Sequence, residues 1–191
     1  MARVDVYISV DVEADGPIPG PYSMLSLGAV VAARFDGSTF IPADPTAQTF
    51  YRELRPTGTE VVPAALAVSG LDRDRLCVDG VEPATAMGEF AAWVDAVAAG
   101  QRPVLVAYPA PFDWMWIYWY LIRYTGASPF SHSGCLDIKS MYATRAKVVY
   151  GQAVKARMPA HLLSGRRHTH HALDDAIEQA EMFVNIAQWN P

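Results

Sequence analysis

The apolar run PVLVAY, from Pro103 to Tyr108, constrains the fold of this chain more than any other segment. It has the composition of a buried central strand, and helical patterns stand on both sides of it, from Pro83 to Ala99 and from Phe112 to Tyr124. Three further strands are predicted upstream: Val4 to Val10, Leu25 to Phe35 and Thr49 to Leu54. This order of elements predicts an α/β fold in which helices flank a mixed central β-sheet.

Two more helices are predicted outside that group. Pro63 begins a short helix that ends at Ser69 and Gly70, and the last helix runs from Ala172 to Gln188. One or two short helices are expected in the segment between the aromatic helix and the last one. A length of 191 residues suits a single domain, 1–191.

Composition limits the class of protein. Hydrophobic residues make up 51% of the chain and charged residues 18%, which is enough for a sizeable core. No apolar run approaches the roughly 20 residues that span a bilayer, and the acids at Asp5, Asp11 and Glu13 do not suit a signal peptide. The two cysteines, Cys77 and Cys135, are far apart and favour a reducing compartment. We therefore expect a cytoplasmic protein with no membrane partner.

The net charge of −5 hides a strongly basic segment. Eight basic residues and one acid lie between Arg123 and Arg167, so the rest of the chain is acidic. Such a block can hold a polyanion without making the whole surface basic. It is equally consistent with an ordinary solvated surface, and charge alone does not decide between the two.

Carboxylates at the end of the first strand form the first candidate site. Asp11 and Glu13 are two residues apart, so they share one face of the sheet where the loops begin. Two acids there, without a basic neighbour, are costly unless a cation binds. The alternative is a polar turn that Asp11 and Asp15 begin together with Gly16.

Two more acids lie near helix starts. Asp113 is in the first turn of the aromatic helix, where an acid is also ordinary capping chemistry. In the last helix, the apolar stripe predicts that Asp175 lies semi-buried at its edge. The opposite face is expected to meet solvent, and it carries Asp174, Glu178, Glu181 and Asn185. Asp175 is therefore the candidate functional acid, and His170 lies on the loop that enters this helix.

Histidines and aromatic side chains have ordinary explanations as well as functional ones. His161, His168, His170 and His171 crowd the C-terminal quarter, which can indicate zinc, but no HExxH or Cys/His ligand spacing occurs. Most of them are expected to be polar surface. Aromatic residues on the helix from Phe112 to Tyr124 favour a core or a dimer interface over base stacking.

The order Asp-x-Glu, then Phe-Asp, then His-x-Ala-Leu-x-Asp-Ala resembles the DEDDh exonucleases of the DnaQ-like group, which includes ribonuclease T and oligoribonuclease. The blocks that carry the resemblance span most of the chain: DVEADG (Asp11 to Gly16), LSLGAVV, VSGLDRDRL (Val68 to Leu76), PFD (Pro111 to Asp113), LDIKSMYA (Leu136 to Ala143) and HHALDDA (His170 to Ala176). Each block is short, but their joint order and spacing are specific. The resemblance implies a ribonuclease H-like fold.

The resemblance also implies a reaction and its residues. Asp11, Glu13, Asp113 and Asp175 would bind two divalent cations, Mg²⁺ or Mn²⁺, and His170 would be the catalytic histidine. The implied reaction releases nucleoside monophosphates from a 3′ end. Substrate-binding candidates complete the set: Arg166, Arg167, Ala14 and Met24.

The implied partner is single-stranded nucleic acid, with RNA preferred over DNA because the resembling free-standing enzymes act on RNA. Those enzymes also imply a homodimer. A DNA proofreading or repair exonuclease is the first alternative. A non-catalytic nucleic-acid-binding module of the same fold is the second, and retention of the four acids and His170 argues against it.

Four positions in three of the motifs depart from the family pattern. Tyr108 and Pro109 stand where His-Asn is frequent, and Ser69 replaces a frequent His. Asp15 stands where Thr or Ser is frequent, and it is expected to add a negative charge at the rim of the site. These departures affect the expected substrate specificity more than the binding of metal.

Overall fold

A computed structural model describes residues 4–190, and the six strands found there form one sheet. The strands are β1 (Asp5–Ala14), β2 (Met24–Phe35), β3 (Phe40–Pro42), β4 (Thr49–Glu53), β5 (Arg102–Ala107) and β6 (Cys135–Asp137). Their order is β3-β2-β1-β5-β6, and β4 pairs with β2 beside β3. Strands β1, β5 and β6 are mutually parallel, whereas β2 runs antiparallel to β1, which confirms the predicted mixed sheet.

Helices cover both faces of the sheet. They are α1 (Pro63–Ser69), α2 (Arg73–Asp79), α3 (Pro83–Ala98), α4 (Ala110–Thr125), α5 (Ile138–Ala146) and α6 (Ala172–Gln188). Three short 3₁₀ turns lie between α5 and α6, at Tyr150–Gln152, Lys155–Arg157 and Ala160–Leu162. Among the described residues, no helix is both long and apolar enough to cross a membrane.

The core consists of two apolar layers, one on each side of the sheet. Val6, Ile8, Val10 and Val12 of β1 pack with α3 and α4 on one side. Residues of β2 and β5 pack with α5 and α6 on the other. Burial of these two layers stabilises the sheet from both sides, as the apolar sequence of β5 predicts.

The structure departs from the predicted elements at short segments and at one strand end. Strand β1 extends to Ala14 rather than Val10, because β2 pairs with it as far as Ala14 and Met24. The predictions missed β3, β6 and α2. The two strands have three residues each, too few to show a period, and α2 has seven.

Candidate active site

The C-terminal part of β1 presents two carboxylates on one face of the sheet. Val10 and Val12 belong to the layer formed with α3 and α4. Asp11 and Glu13 alternate with them and therefore point to the face that α6 covers. This is the arrangement that the two-residue spacing predicts.

Gly28 of β2 brings the beginning of α6 onto this face. Gly28 is the partner of Asp11 in the sheet, and a Cβ added to it would overlap the backbone of Ala172 and Leu173. A residue without a side chain is therefore needed for this approach of helix and sheet. The close contact places Asp175, in the first turn of α6, beside the end of β1.

Three of the four candidate acids meet at this point. Asp11, Glu13 and Asp175 each offer an oxygen atom, and these atoms all lie within 4.8 Å of one another. Asp175 is completely buried rather than semi-buried at a stripe edge, because the preceding loop folds over it. The backbone N–H groups of Thr169 and His170 donate to its two oxygens at 2.9 and 2.8 Å.

Glu178 corrects a second expectation about α6. It was expected to face solvent with Asp174, but its exposed fraction is only 6%. Lys155 donates to both of its carboxylate oxygens, at 2.8 and 2.7 Å, and His168 Nδ1 lies 3.0 Å from one of them. Helical periodicity could not show that a distant segment covers this side of α6. Asp174 is exposed, as predicted.

Asp113 reaches the same site from the first turn of α4. Its side chain is 4% exposed, and its carboxylate accepts the backbone N–H of Val12 at 3.1 Å. Val12 lies between Asp11 and Glu13 in β1. Asp113 is thus bound to the strand that carries Asp11 and Glu13. This contact is additional to the helix capping that the sequence suggests.

Burial, together with the closeness of other acids, raises the pKa values of Asp11, Glu13 and Asp113. Burial raises the pKa of Glu13 to about 7, with a further contribution from Asp175, and burial raises the pKa of Asp113 to about 8. The pKa of Asp11 lies well above its ordinary value, first through burial and then through the charges of Asp113, Glu13 and Asp175. A bound cation would relieve this repulsion. An all-oxygen donor set fits hard cations such as Mg²⁺ and Mn²⁺.

His170 lies at the rim of the acid cluster, on the loop before α6. Its backbone has a φ of 57°, in the left-handed region, and its side chain is 46% exposed. Its Nδ1 atom is 4.0 Å from a carboxylate oxygen of Glu13. The contact from the His170 backbone to Asp175 fixes the loop, while the imidazole remains open to solvent.

Gln179 is a site residue that the sequence analysis missed. Its exposed fraction is 1%; its side-chain amide donates to Asp11 at 2.6 Å and accepts the backbone N–H of Tyr108 at 2.6 Å. Gln179 therefore joins α6 to the ends of both β1 and β5. Its position four residues after Asp175, on the same side of the helix, was a signal that could have identified it.

An apolar pocket adjoins the acids. Its volume is about 400 Å³ and it borders Glu13. The other principal lining residues come from the end of β1 and the loop after it, from α1 and the residue before it, and from α4: Ala14, Pro17, Val62, Val68 and Phe112. The pocket can take a flat apolar group next to a cluster of cation ligands.

The four candidate substrate-binding residues have different surroundings. Ala14 lines the apolar pocket. Met24 is fully buried, so its side chain does not reach the surface. Arg166 and Arg167 line a shallow depression beside Asp174, and the Nε atom of Arg166 pairs with Glu181 at 2.7 Å.

Asp15 corrects the expectation of a negative charge at the rim. Its exposed fraction is 0%, and its carboxylate pairs with Arg73 Nε at 2.8 Å and accepts the backbone N–H of Ser23 at 2.6 Å. Arg73 comes from α2, which was not predicted. Asp15 thus connects the β1–β2 segment to α2 as part of a buried ion pair.

Comparison with known proteins identifies a relative along nearly the whole chain. The 3′–5′ DNA exonuclease Cap18 of Escherichia coli is 38% identical over 180 residues, which cover 94% of this chain and 90% of that protein. No family model matches the chain.

Solved structures show the same fold at low sequence identity. The nuclease domain of 3′hExo, a DEDDh family member bound to rAMP, has a TM-score of 0.67 at 18% identity, with 97% of this chain and 92% of that chain covered. ExoI of E. coli, in the zinc-bound form of its complex with single-stranded DNA, has a TM-score of 0.61 at 18% identity, with 98% of this chain and 41% of that chain covered. These likenesses confirm the ribonuclease H-like fold.

Proposed function

This chain belongs to the DEDDh family of 3′–5′ exonucleases, and on that premise we propose that it removes nucleotides from the 3′ end of single-stranded DNA. The observation that carries the proposal is the convergence of Asp11, Glu13, Asp113 and Asp175 at one end of the sheet, with pKa values of the first three raised by burial. Such a cluster is costly for folding unless it binds cations.

We assign the four acids to the binding of two divalent cations, Mg²⁺ or Mn²⁺. Bound there, the cations supply an activated water and stabilise charge on the leaving 3′ oxygen. Asp113 is held by the Val12 backbone, Asp11 by Gln179, and Asp175 by the loop before α6. The protein thus fixes three of the four carboxylates by hydrogen bonds before any cation binds.

His170 is assigned as the general base. Its imidazole is exposed and lies next to Glu13, so it can take a proton from a water bound at the acids and pass it to solvent. The backbone contact to Asp175 keeps the loop near the site. We expect substitution of His170 by Ala to lower the hydrolysis rate by roughly 10²–10⁴-fold.

The apolar pocket is assigned to the 3′-terminal nucleoside. Glu13 at its edge places the pocket within reach of the acids, and Phe112 offers an aromatic ring that is 38% exposed. Stacking on an aromatic ring is tolerant of base identity. We therefore expect hydrolysis with little dependence on the 3′ base.

DNA is proposed as the substrate because the relative at 38% identity is named a DNA exonuclease. The resemblance to ribonuclease T and oligoribonuclease favours RNA, which is the second candidate substrate. A protein that selects RNA needs a contact to the 2′-OH, so the ratio of the two rates is the quantity to measure.

The test is hydrolysis of matched 5′-labelled DNA and RNA oligonucleotides with Mg²⁺, with Mn²⁺ and with EDTA. We expect a ladder that shortens from the 3′ end only when metal is present, and faster shortening of DNA. Faster shortening of RNA would overturn the substrate assignment. Binding without cleavage of either oligonucleotide would overturn the enzyme and favour a binding module.

A homodimer remains a proposal that the surface of α4 supports. An open, mainly apolar depression of about 420 Å³ is lined by Trp114, Met115, Tyr118, Trp119, Ile122 and Arg123. Exposed apolar surface of this kind is typical of protein interfaces. Light scattering should give twice the chain mass of 20.9 kDa, and the mass of a single chain would overturn the proposal.

A further inference from the structure

A second group of potential metal ligands lies on the outer side of Asp175. His168, His170 and Asp175 each offer one ligand atom, and these atoms all lie within 4.8 Å of one another. His168 Nδ1 is 3.2 Å from Asp175 Oδ1, and the centroids of the two imidazole rings are 4.5 Å apart. We call these three residues the histidine site.

The histidine site differs in chemistry from the acid cluster. It offers two imidazole nitrogens and one carboxylate oxygen, a donor set that suits Zn²⁺ better than Mg²⁺. Both histidine side chains are more than 40% exposed, at 42% and 46%, so an ion can reach them from solvent. Asp175 is buried and held by two backbone N–H groups, which gives the site one rigid ligand.

We propose that the histidine site binds Zn²⁺ and that bound Zn²⁺ inhibits the exonuclease. The inhibitory part rests on the function proposed above. A nitrogen of His170 that binds the ion cannot accept a proton from water. Asp175 belongs to both groups of ligands and has two carboxylate oxygens, so it can serve both, and inhibition follows from the loss of His170 as a proton acceptor.

Substitution of His168 distinguishes the histidine site from the acid cluster in an experiment. It has no assigned part in hydrolysis, and its partner Glu178 is already held through both oxygens by Lys155. Substitution of His168 therefore leaves Glu178 paired. His161 is a matched control, because it is also exposed but belongs to the 3₁₀ turn Ala160–Leu162, outside the cluster.

The first experiment measures Zn²⁺ binding by calorimetry without any substrate, in excess Mg²⁺ so that hard-cation sites are filled. We expect one Zn²⁺ to bind the natural chain and the His161→Gln variant with equal affinity. His168→Gln and His170→Gln should each bind at least about tenfold more weakly, as expected when a ligand is lost. Equal affinity in both of these variants, or no Zn²⁺ binding to the natural chain, would overturn the proposal.

The second experiment titrates Zn²⁺ into the hydrolysis reaction with Mg²⁺, and each variant is compared with its own rate without Zn²⁺. The natural chain and His161→Gln should lose activity, whereas His168→Gln should need at least about tenfold more Zn²⁺ for the same loss. Equal inhibition of His168→Gln would place the inhibitory ion at the acid cluster instead. If hydrolysis is not found at all, the proposed function fails, and the calorimetry still tests the histidine site.

Discussion

Replacement of Gln179 by Leu removes the contacts that this side chain makes to Asp11 and to Tyr108. Both hydrogen bonds are 2.6 Å long. Because Gln179 is only 1% exposed, bulk solvent has little access to replace them. Leu has a similar volume, which limits the change to the loss of polar atoms. Two separate effects are expected, one on stability and one on metal binding.

The stability effect comes mainly from Tyr108. Its backbone N–H loses its acceptor at a partly buried position, which costs about 1–3 kcal/mol in the free energy of unfolding. The effect on metal binding comes from Asp11, whose carboxylate loses its orienting partner. Loss of such a partner lowers metal affinity by about tenfold to a hundredfold, or about 1.4–2.8 kcal/mol.

The assay is calorimetric titration with Mn²⁺, followed by hydrolysis rates over a range of Mn²⁺ concentrations at a temperature where the variant is folded. Gln179→Leu should need more Mn²⁺ for half-maximal activity, while the rate at saturating Mn²⁺ recovers most of its original value. Gln188→Leu, at an exposed position of the same helix, is the control and should change neither quantity. An Mn²⁺ affinity of Gln179→Leu equal to that of the natural chain would refute the positioning role of Gln179.

Three further perturbations test other parts of the site. Asp175→Asn should abolish metal-dependent hydrolysis in the gel assay, whereas Asp174→Asn, at an exposed position, should be nearly silent; equal losses would contradict the assignment of Asp175. Arg73→Met leaves the buried carboxylate of Asp15 without its partner and should lower the unfolding free energy by about 3–5 kcal/mol in denaturant titrations. Arg75→Met, in an exposed pair with Glu53, should change it far less. Because the pKa values of Glu13 and Asp113 are raised to about 7 and about 8, the folded chain binds more protons than the unfolded chain between roughly pH 4 and pH 8, so stability without metal should fall as pH rises through this window. Mg²⁺ should then raise Tm more at pH 8 than at pH 6, and an equal rise at both would contradict the link between these carboxylates and the cation.

The sequence predicted the parts of the site that depend on local periodicity. The two-residue spacing of Asp11 and Glu13 placed both on one face of β1, and the helical period distinguished Asp175 from Asp174. The predicted order of strands and helices was sufficient for the fold class. These inferences need only the geometry of one element at a time.

Features that depend on contacts between distant segments were not predicted. The burial of Glu178 follows from Lys155, 23 residues away in the chain, and the burial of Asp15 follows from Arg73, 58 residues away. Gln179 contacts both Asp11 and the backbone of Tyr108 only because the ends of β1 and β5 lie beside each other at α6. Patterns along the chain carry no information on such pairs.

Gly28 has a consequence for how proteins of this fold can diverge. A single methyl group at this position would meet the backbone at the start of α6, and α6 carries Asp175 as well as the loop with His170. The apolar layer that β1 forms with α3 and α4 lies on the other side of the sheet and does not include α6. A change of Gly28 to Ala would therefore displace two functional groups together while that layer persists. One small substitution, beside Asp11 in the sheet but at none of the four acids or His170, would be enough to convert a nuclease into a protein that only holds nucleic acid.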